Sequence, residues 1–127
     1  SISGEKNSKV TVIGCGEVGR SSIHKSIQIG ASVTAIDINE DILNELKNQY
    51  GENITTLVSG SESATNAIRS ADLVVGAVLL PGRKPPIVIT EEDINSMEKG
   101  SVIVDVAIDQ GGCVEGVSLI LIVNLLK

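Results

Sequence analysis

The sequence predicts an α/β fold: a doubly wound, mostly parallel sheet in three α/β/α layers. Three observations carry that expectation. Short β-rich apolar runs alternate with amphipathic helical stretches along the 127 residues, as in a parallel sheet covered on both faces. The run Leu73-Val74-Val75-Gly76-Ala77-Val78 is apolar at every position, as a strand buried on both faces must be. A glycine turn, Gly14-Cys15-Gly16-Glu17-Val18-Gly19, links the first apolar run to the first helical stretch, and Asp37 closes the second run.

The elements follow in order. The first strand falls over 9–13 and the first helix over 17–29, with Val18, Ile23 and Ile27 on an inner stripe and Gly30 as its stop. A second strand covers 32–36. The second helix covers 40–49, with Ile42, Leu43 and Leu46 facing inward. The third strand spans 54–58, the third helix 62–70 and the fourth strand 73–78, before a Pro- and Gly-bearing loop over 81–86. Thr90-Glu91-Glu92-Asp93 reads as a capped helix start, Thr90 being the N-cap and Asp93 its reciprocal partner. That helix is expected to end near Lys99-Gly100, followed by a fifth strand over 101–106 and a sixth over 119–123. No linker, repeat or low-complexity stretch divides the chain, so one domain over 1–127 is expected.

Composition narrows the function. Hydrophobic residues make up 42% of the chain, too many for disorder. The formal charge is −6 with no basic stripe, which disfavours nucleic acid. Tyr50 is the only aromatic residue, so the core is built from Ile, Val, Leu and Ala, and no platform exists for stacking bases. Two cysteines, Cys15 and Cys113, without histidine partners make a poor metal site and read as reduced thiols. The apolar run 117–126 is too short for a membrane span, so no membrane partner is expected and cytoplasm is the expected compartment. The same run is β-prone at 117–123 and points to self-association, with a homo-oligomer expected. The single histidine, His24, falls in the first helix as an ordinary helix residue, and Arg83-Lys84 reads as solvated.

The glycine turn and the acid together form a dinucleotide-binding pattern, which makes the expected sheet Rossmann-type. Gly14 lets the chain turn sharply out of the first strand, and Gly16 lets a pyrophosphate approach the backbone. Gly19 lets the helix pack closely on the sheet. The helix begins at Glu17, so its free N–H groups and positive dipole end face the phosphates. Gly14, Gly16, Glu17, Val18 and Gly19 are therefore candidate cofactor-binding residues, the Glu17 side chain pointing to solvent. Arg20 either adds positive charge near the phosphates or is solvated. Asp37 stands where a carboxylate accepts hydrogen bonds from the adenosine ribose hydroxyls and repels the extra phosphate of NADP, so NAD is the expected cofactor. The other reading of Asp37 is a turn residue or N-cap for the helix that starts near Asn39.

Two further segments are more specific than the turn: Ala77-Val78-Leu79-Leu80-Pro81-Gly82, and residues 100–113, which end in Asp109-Gln110-Gly111-Gly112-Cys113. With the glycine turn and Asp37, they closely resemble the NAD-binding domain of the bacterial alanine dehydrogenase family, which is related to the NAD-binding subunit of proton-translocating transhydrogenase. The resemblance covers 9–115, and its Asp-Gln-Gly-Gly-Cys run looks like the dehydrogenase branch. It implies that Asp37 holds the ribose, that Ser59 lies near the adenine side and that Val78 and Leu79 line the nicotinamide half. It also implies that Ile108 and Asp109 sit beside the nicotinamide ring, Asp109 being the candidate catalytic acid, and that Asn124 faces the cofactor. The partners it implies are NAD(H), and L-alanine or pyruvate only with a substrate domain. In the family a lysine and a histidine of that separate domain bind pyruvate and handle protons; neither has a counterpart by position here. The connection between Cys113 and the last strand is shorter than in the family, and Ile42 stands where the family has a basic residue. The resemblance thus implies the cofactor domain of an amino-acid oxidoreductase, inactive alone. The competing readings are a non-catalytic nucleotide-binding or regulatory module, and a methyltransferase, against which the segment 105–113 argues.

Overall fold

The computed structural model describes residues 7–79, 86–106 and the backbone of 121–123. The chain runs β1 (Lys9–Ile13), α1 (Glu17–Gln28), β2 (Ser32–Asp37), α2 (Glu40–Tyr50), a short 3-10 turn (Gly51–Asn53), β3 (Ile54–Val58), α3 (Glu62–Arg69), β4 (Leu73–Gly76), α4 (Glu91–Ser96), β5 (Val102–Asp105) and β6 (Leu121–Val123). The sheet order is β3-β2-β1-β4-β5-β6. β1 to β5 are parallel throughout, so each connection carries a helix over the sheet. The fold is the expected Rossmann-type α/β.

Alternation along the strands feeds two apolar layers. Val10, Val12, Val33, Ala35 and Val75 face one side, where they pack with Ile23 of α1 and Leu43 and Leu46 of α2. Ile13, Ile36, Val74 and Ile103 face the other, against Ala64 and Ile68 of α3 and the buried Ile89 and Met97 that flank α4. Thr11, buried on a core strand, satisfies its hydroxyl by donating to the Ala67 carbonyl at 3.0 Å.

Three differences from the sequence expectation have physical causes. Val18 is not on the inner stripe of α1: Gly19 and Ile23 are buried, and Val18 is 39% exposed. Gly19 lies against the sheet, and one residue is about 100° of helical rotation, so Val18 is turned outward. The ladder of β4 stops at Gly76 rather than at 78, because its neighbours end at Ile13 and Asp105; residues 77–79 outrun both and leave the sheet. α4 ends at Ser96, since Met97 turns to extended backbone (φ −75°, ψ 153°) and drives its side chain into the core. β6 pairs with β5 antiparallel, Val102 opposite Val123 and Val104 opposite Leu121. Its described part is Leu121–Val123; residues 119 and 120 of the expected strand lie outside the described residues.

Candidate functional site

In β3-β2-β1-β4-β5-β6 the chain's direction of travel across the sheet reverses between β1 and β4. Ligands of such sheets bind outside the carboxyl ends of the strands at that point. A cleft of about 850 Å³ opens there, within the range of small-molecule sites. The turn after β1 supplies Gly14 to Val18, the end of β2 supplies Ile36 to Asn39, and Ser59 follows β3. Ala77, Val78 and Leu79 come from the segment that outruns β4, Ile42 from α2, and Pro86, Ile87 and Val88 close one wall.

Each glycine of the turn has its own constraint. Gly14 has φ +91°, and a Cβ there would stand 2.6 Å from the Ala77 carbonyl oxygen. At Gly19 a Cβ would run into the Gly14 carbonyl oxygen. Those two glycines are demanded by the protein's own packing. Gly16 is different: its backbone is ordinary (φ −76°, ψ −159°), and a Cβ there would meet nothing within 4 Å. It faces the cleft, so the space its missing side chain leaves is available to a ligand.

The helix ends differ in the same place. Asn39 caps α2 by accepting from the amides of Asp41 (2.9 Å) and Ile42 (3.3 Å). Ser61 caps α3 through the Ala64 amide at 3.1 Å, and Thr90 and Asp93 form a reciprocal capping box on α4. The N-cap of α1 is Gly16, with no side-chain cap. The first-turn amides of α1, with the positive end of its dipole, are left for an anion.

Asp37 reaches into the turn from the end of β2. Its Oδ2 accepts from the Cys15 amide at 2.7 Å and its Oδ1 from the Asn39 amide at 2.8 Å. A carboxylate has about four lone-pair positions, so both oxygens keep acceptor capacity toward the cleft. The reading of Asp37 as a turn residue before α2 is seen in its bond to the Asn39 amide, and its side chain also lines the cleft. The Ser59 amide donates to the Asp37 carbonyl at 3.0 Å, which ties the end of β3 to the same point. Cys15 is fully buried beneath the turn. Burial, reinforced by the nearby negative charge of Asp37, pushes its thiol up to about 12, so it stays protonated and serves as a small apolar side chain.

Gly14, Gly16, Glu17, Val18, Asp37, Ser59, Val78 and Leu79 all line one cleft, and Gly19 sits directly behind it. Ile108, Asp109, Cys113 and Asn124 lie outside the described residues. Sequence reasoning missed Ile38, Asn39 and 86–88 as cleft residues; the apolar Ile87-Val88 beside the prolines was the one signal for the last of these. Arg20 is not among the lining residues. His24 meets the Tyr50 hydroxyl through Nδ1 at 3.1 Å, away from the cleft. Among the described residues no cluster of His, Cys, Asp and Glu is placed to hold a metal, and no helix is long and apolar enough to cross a membrane.

An uncapped first helix at the switch point of a parallel sheet, beside a carboxylate at the end of β2, is the architecture of the Rossmann class of α/β domains. Within that class the chain belongs to the alanine dehydrogenase/PNT C-terminal domain family, whose model matches residues 1–120. It is 47% identical over 116 residues to alanine dehydrogenase of Bacillus subtilis (strain 168), covering 91% of this chain and 31% of that protein. A solved L-alanine dehydrogenase superposes with a TM-score of 0.87 at 42% identity, covering 91% of this chain and 32% of its own. A transhydrogenase from Sinorhizobium meliloti superposes with a TM-score of 0.78 at 30% identity, covering 93% of this chain and 34% of its own. The chain thus spans about a third of the length of these relatives.

Proposed function

We propose that this chain, as one domain over 1–127, is the NAD(H)-binding domain of an alanine dehydrogenase-type oxidoreductase. The observation that carries the reading is the space at Gly16. It is a glycine the fold does not require, placed at the uncapped start of α1 and facing a cleft that Asp37 also lines. A pyrophosphate fits that space and the free amides, and the two carboxylate oxygens of Asp37 suit the paired hydroxyls of an adenosine ribose. A phosphate on the ribose 2′ position would meet the Asp37 charge, which favours NAD over NADP. Ser59 then sits on the adenine side and Val78 and Leu79 on the nicotinamide side. On the same reading Ile108 and Asp109 sit beside the nicotinamide ring, Asp109 as the catalytic acid, and Asn124 faces the cofactor.

The nicotinamide group, when bound, accepts hydride from the α-carbon of L-alanine in the intact enzyme, the resulting imine going on to pyruvate and ammonia. The residues of this chain bind the cofactor and fix its orientation; a substrate domain would supply pyruvate binding and proton transfer. The reading includes a cytoplasmic protein that self-associates through the apolar run 117–123.

Calorimetric titration with NADH, NADPH and S-adenosylmethionine tests it. Saturable NADH binding is expected, with NADPH much weaker and no S-adenosylmethionine binding. Asp37→Ala should weaken NADH by about 10–100-fold, the loss of charge-assisted hydrogen bonds worth roughly 1.5–3 kcal/mol. Equal affinity for NADH and NADPH, or no binding by a folded sample, rejects the reading.

A further inference from the structure

Two side chains from outside the glycine turn hold the same residue of it. Asp37 takes the Cys15 amide at 2.7 Å, and the Arg20 Nε donates to the Cys15 carbonyl at 3.2 Å. No described peptide bond is cis, and a trans peptide sets its C=O and N–H on opposite sides. Holding the Cys15 carbonyl toward Arg20 therefore directs the Gly16 N–H of that peptide group the other way. The charge of Arg20 is engaged elsewhere: its outer nitrogen pairs with Glu45 of α2 at 2.5 Å, and the side chain does not line the cleft.

We propose that Arg20 is a positioning residue: with Glu45 as its anchor, it locks the Cys15–Gly16 peptide so that the Gly16 amide is preset to receive the cofactor pyrophosphate. This rests on the NAD(H) reading above. The lock saves the ligand the cost of ordering the turn on binding. It acts through a neutral peptide dipole rather than by direct attraction between guanidinium and phosphate. The Arg20–Glu45 pair is exposed on both sides, 40% and 64%, and such surface pairs add little stability. Its removal therefore leaves the fold intact while the ligand effect is read.

The experiment compares the unaltered chain with Arg20→Gln and Glu45→Ala, titrating NADH by calorimetry and adenosine by amide NMR, with thermal midpoints for each. Arg20→Gln should weaken NADH about tenfold, the upper end for one hydrogen bond, and Glu45→Ala should weaken it in the same direction but less. Adenosine, which lacks the pyrophosphate, should bind all three alike, and the midpoints should stay close. Tighter NADH binding by Glu45→Ala would overturn the proposal, because it would show a freed Arg20 acting directly on the phosphates. Unchanged NADH binding by Arg20→Gln, or a parallel fall in adenosine, would overturn it as well. Failure of the unaltered chain to bind NADH would instead remove the reading on which the proposal rests.

Discussion

At the scale of single residues, the three glycines of the turn separate folding from binding. A Cβ at Gly19 collides with backbone, whereas a Cβ at Gly16 meets nothing. Gly19→Ala is expected to destabilise the chain by roughly 2 kcal/mol or more, as an overpacked site with no flexible neighbour to yield. Gly16→Ala should cost the fold no more than about 1 kcal/mol, the loss of a glycine N-cap, yet lose most NADH affinity. Thermal unfolding and calorimetry on the two variants check this; a Gly16→Ala chain that binds NADH normally would show that no ligand group occupies the space. The roles of Gly14 and Gly19 were readable from the sequence because the motif specifies local geometry. The hydrogen bond from the Cys15 amide to Asp37 was not, because it joins residues 22 apart through the β1–β2 register. Arg20 was undecidable for the same reason, since its partner Glu45 arrives only when α2 packs beside α1.

At the scale of elements, α4 shows how local chemistry sets a boundary. Its start was legible because a capping box lies within four consecutive residues, Thr90 to Asp93. Its tertiary partner was not: Asp93 also accepts from the Arg69 Nε of α3 at 2.9 Å. Burial alone would raise the Asp93 carboxyl, but the hydrogen bonds from Thr90 and Arg69 outweigh it and hold the group below its ordinary value of 3.8. A carboxyl lowered by folding contributes stability that is complete above the unfolded value and disappears as pH falls through the folded one. Asp93→Ala should therefore cost about 1–3 kcal/mol near neutral pH, through the lost cap and an unpartnered Arg69. The difference between variant and parent should shrink as the solution is acidified below the carboxylate range. Denaturant titrations at several pH values test it, and a pH-independent difference would contradict the assignment. β6 marks the opposite limit of legibility. An apolar run announces burial, but nothing in it encodes that the strand runs antiparallel to β5.

At the scale of the whole molecule, the fold class was fully legible because the alternation of strand and helix repeats along most of the chain, and each repeat points to the same sheet. The cleft was legible where it is made by the ends of β1, β2 and β3, and less so where 77–79 and 86–88 complete it, since those segments carry no periodic signal. On the proposed reading, in which the chain orients the cofactor, it should bind NADH and release no pyruvate from L-alanine and NAD. A coupled assay for pyruvate on the purified chain checks this, and turnover above background would place the missing proton-transfer groups within these 127 residues. Gel filtration over a range of concentrations belongs with it: self-association is expected, and a monomer at high concentration counts against it.

The His24–Tyr50 contact has a practical consequence. With no tryptophan in the chain and a single tyrosine, intrinsic protein emission comes from Tyr50 alone, at shorter wavelength than that of reduced nicotinamide. Tyr50 lies at the end of α2, does not line the cleft, and touches α1 through His24. One sample therefore offers two optical channels. Nicotinamide emission follows what enters the cleft, and tyrosine emission follows whether α1 and α2 remain docked.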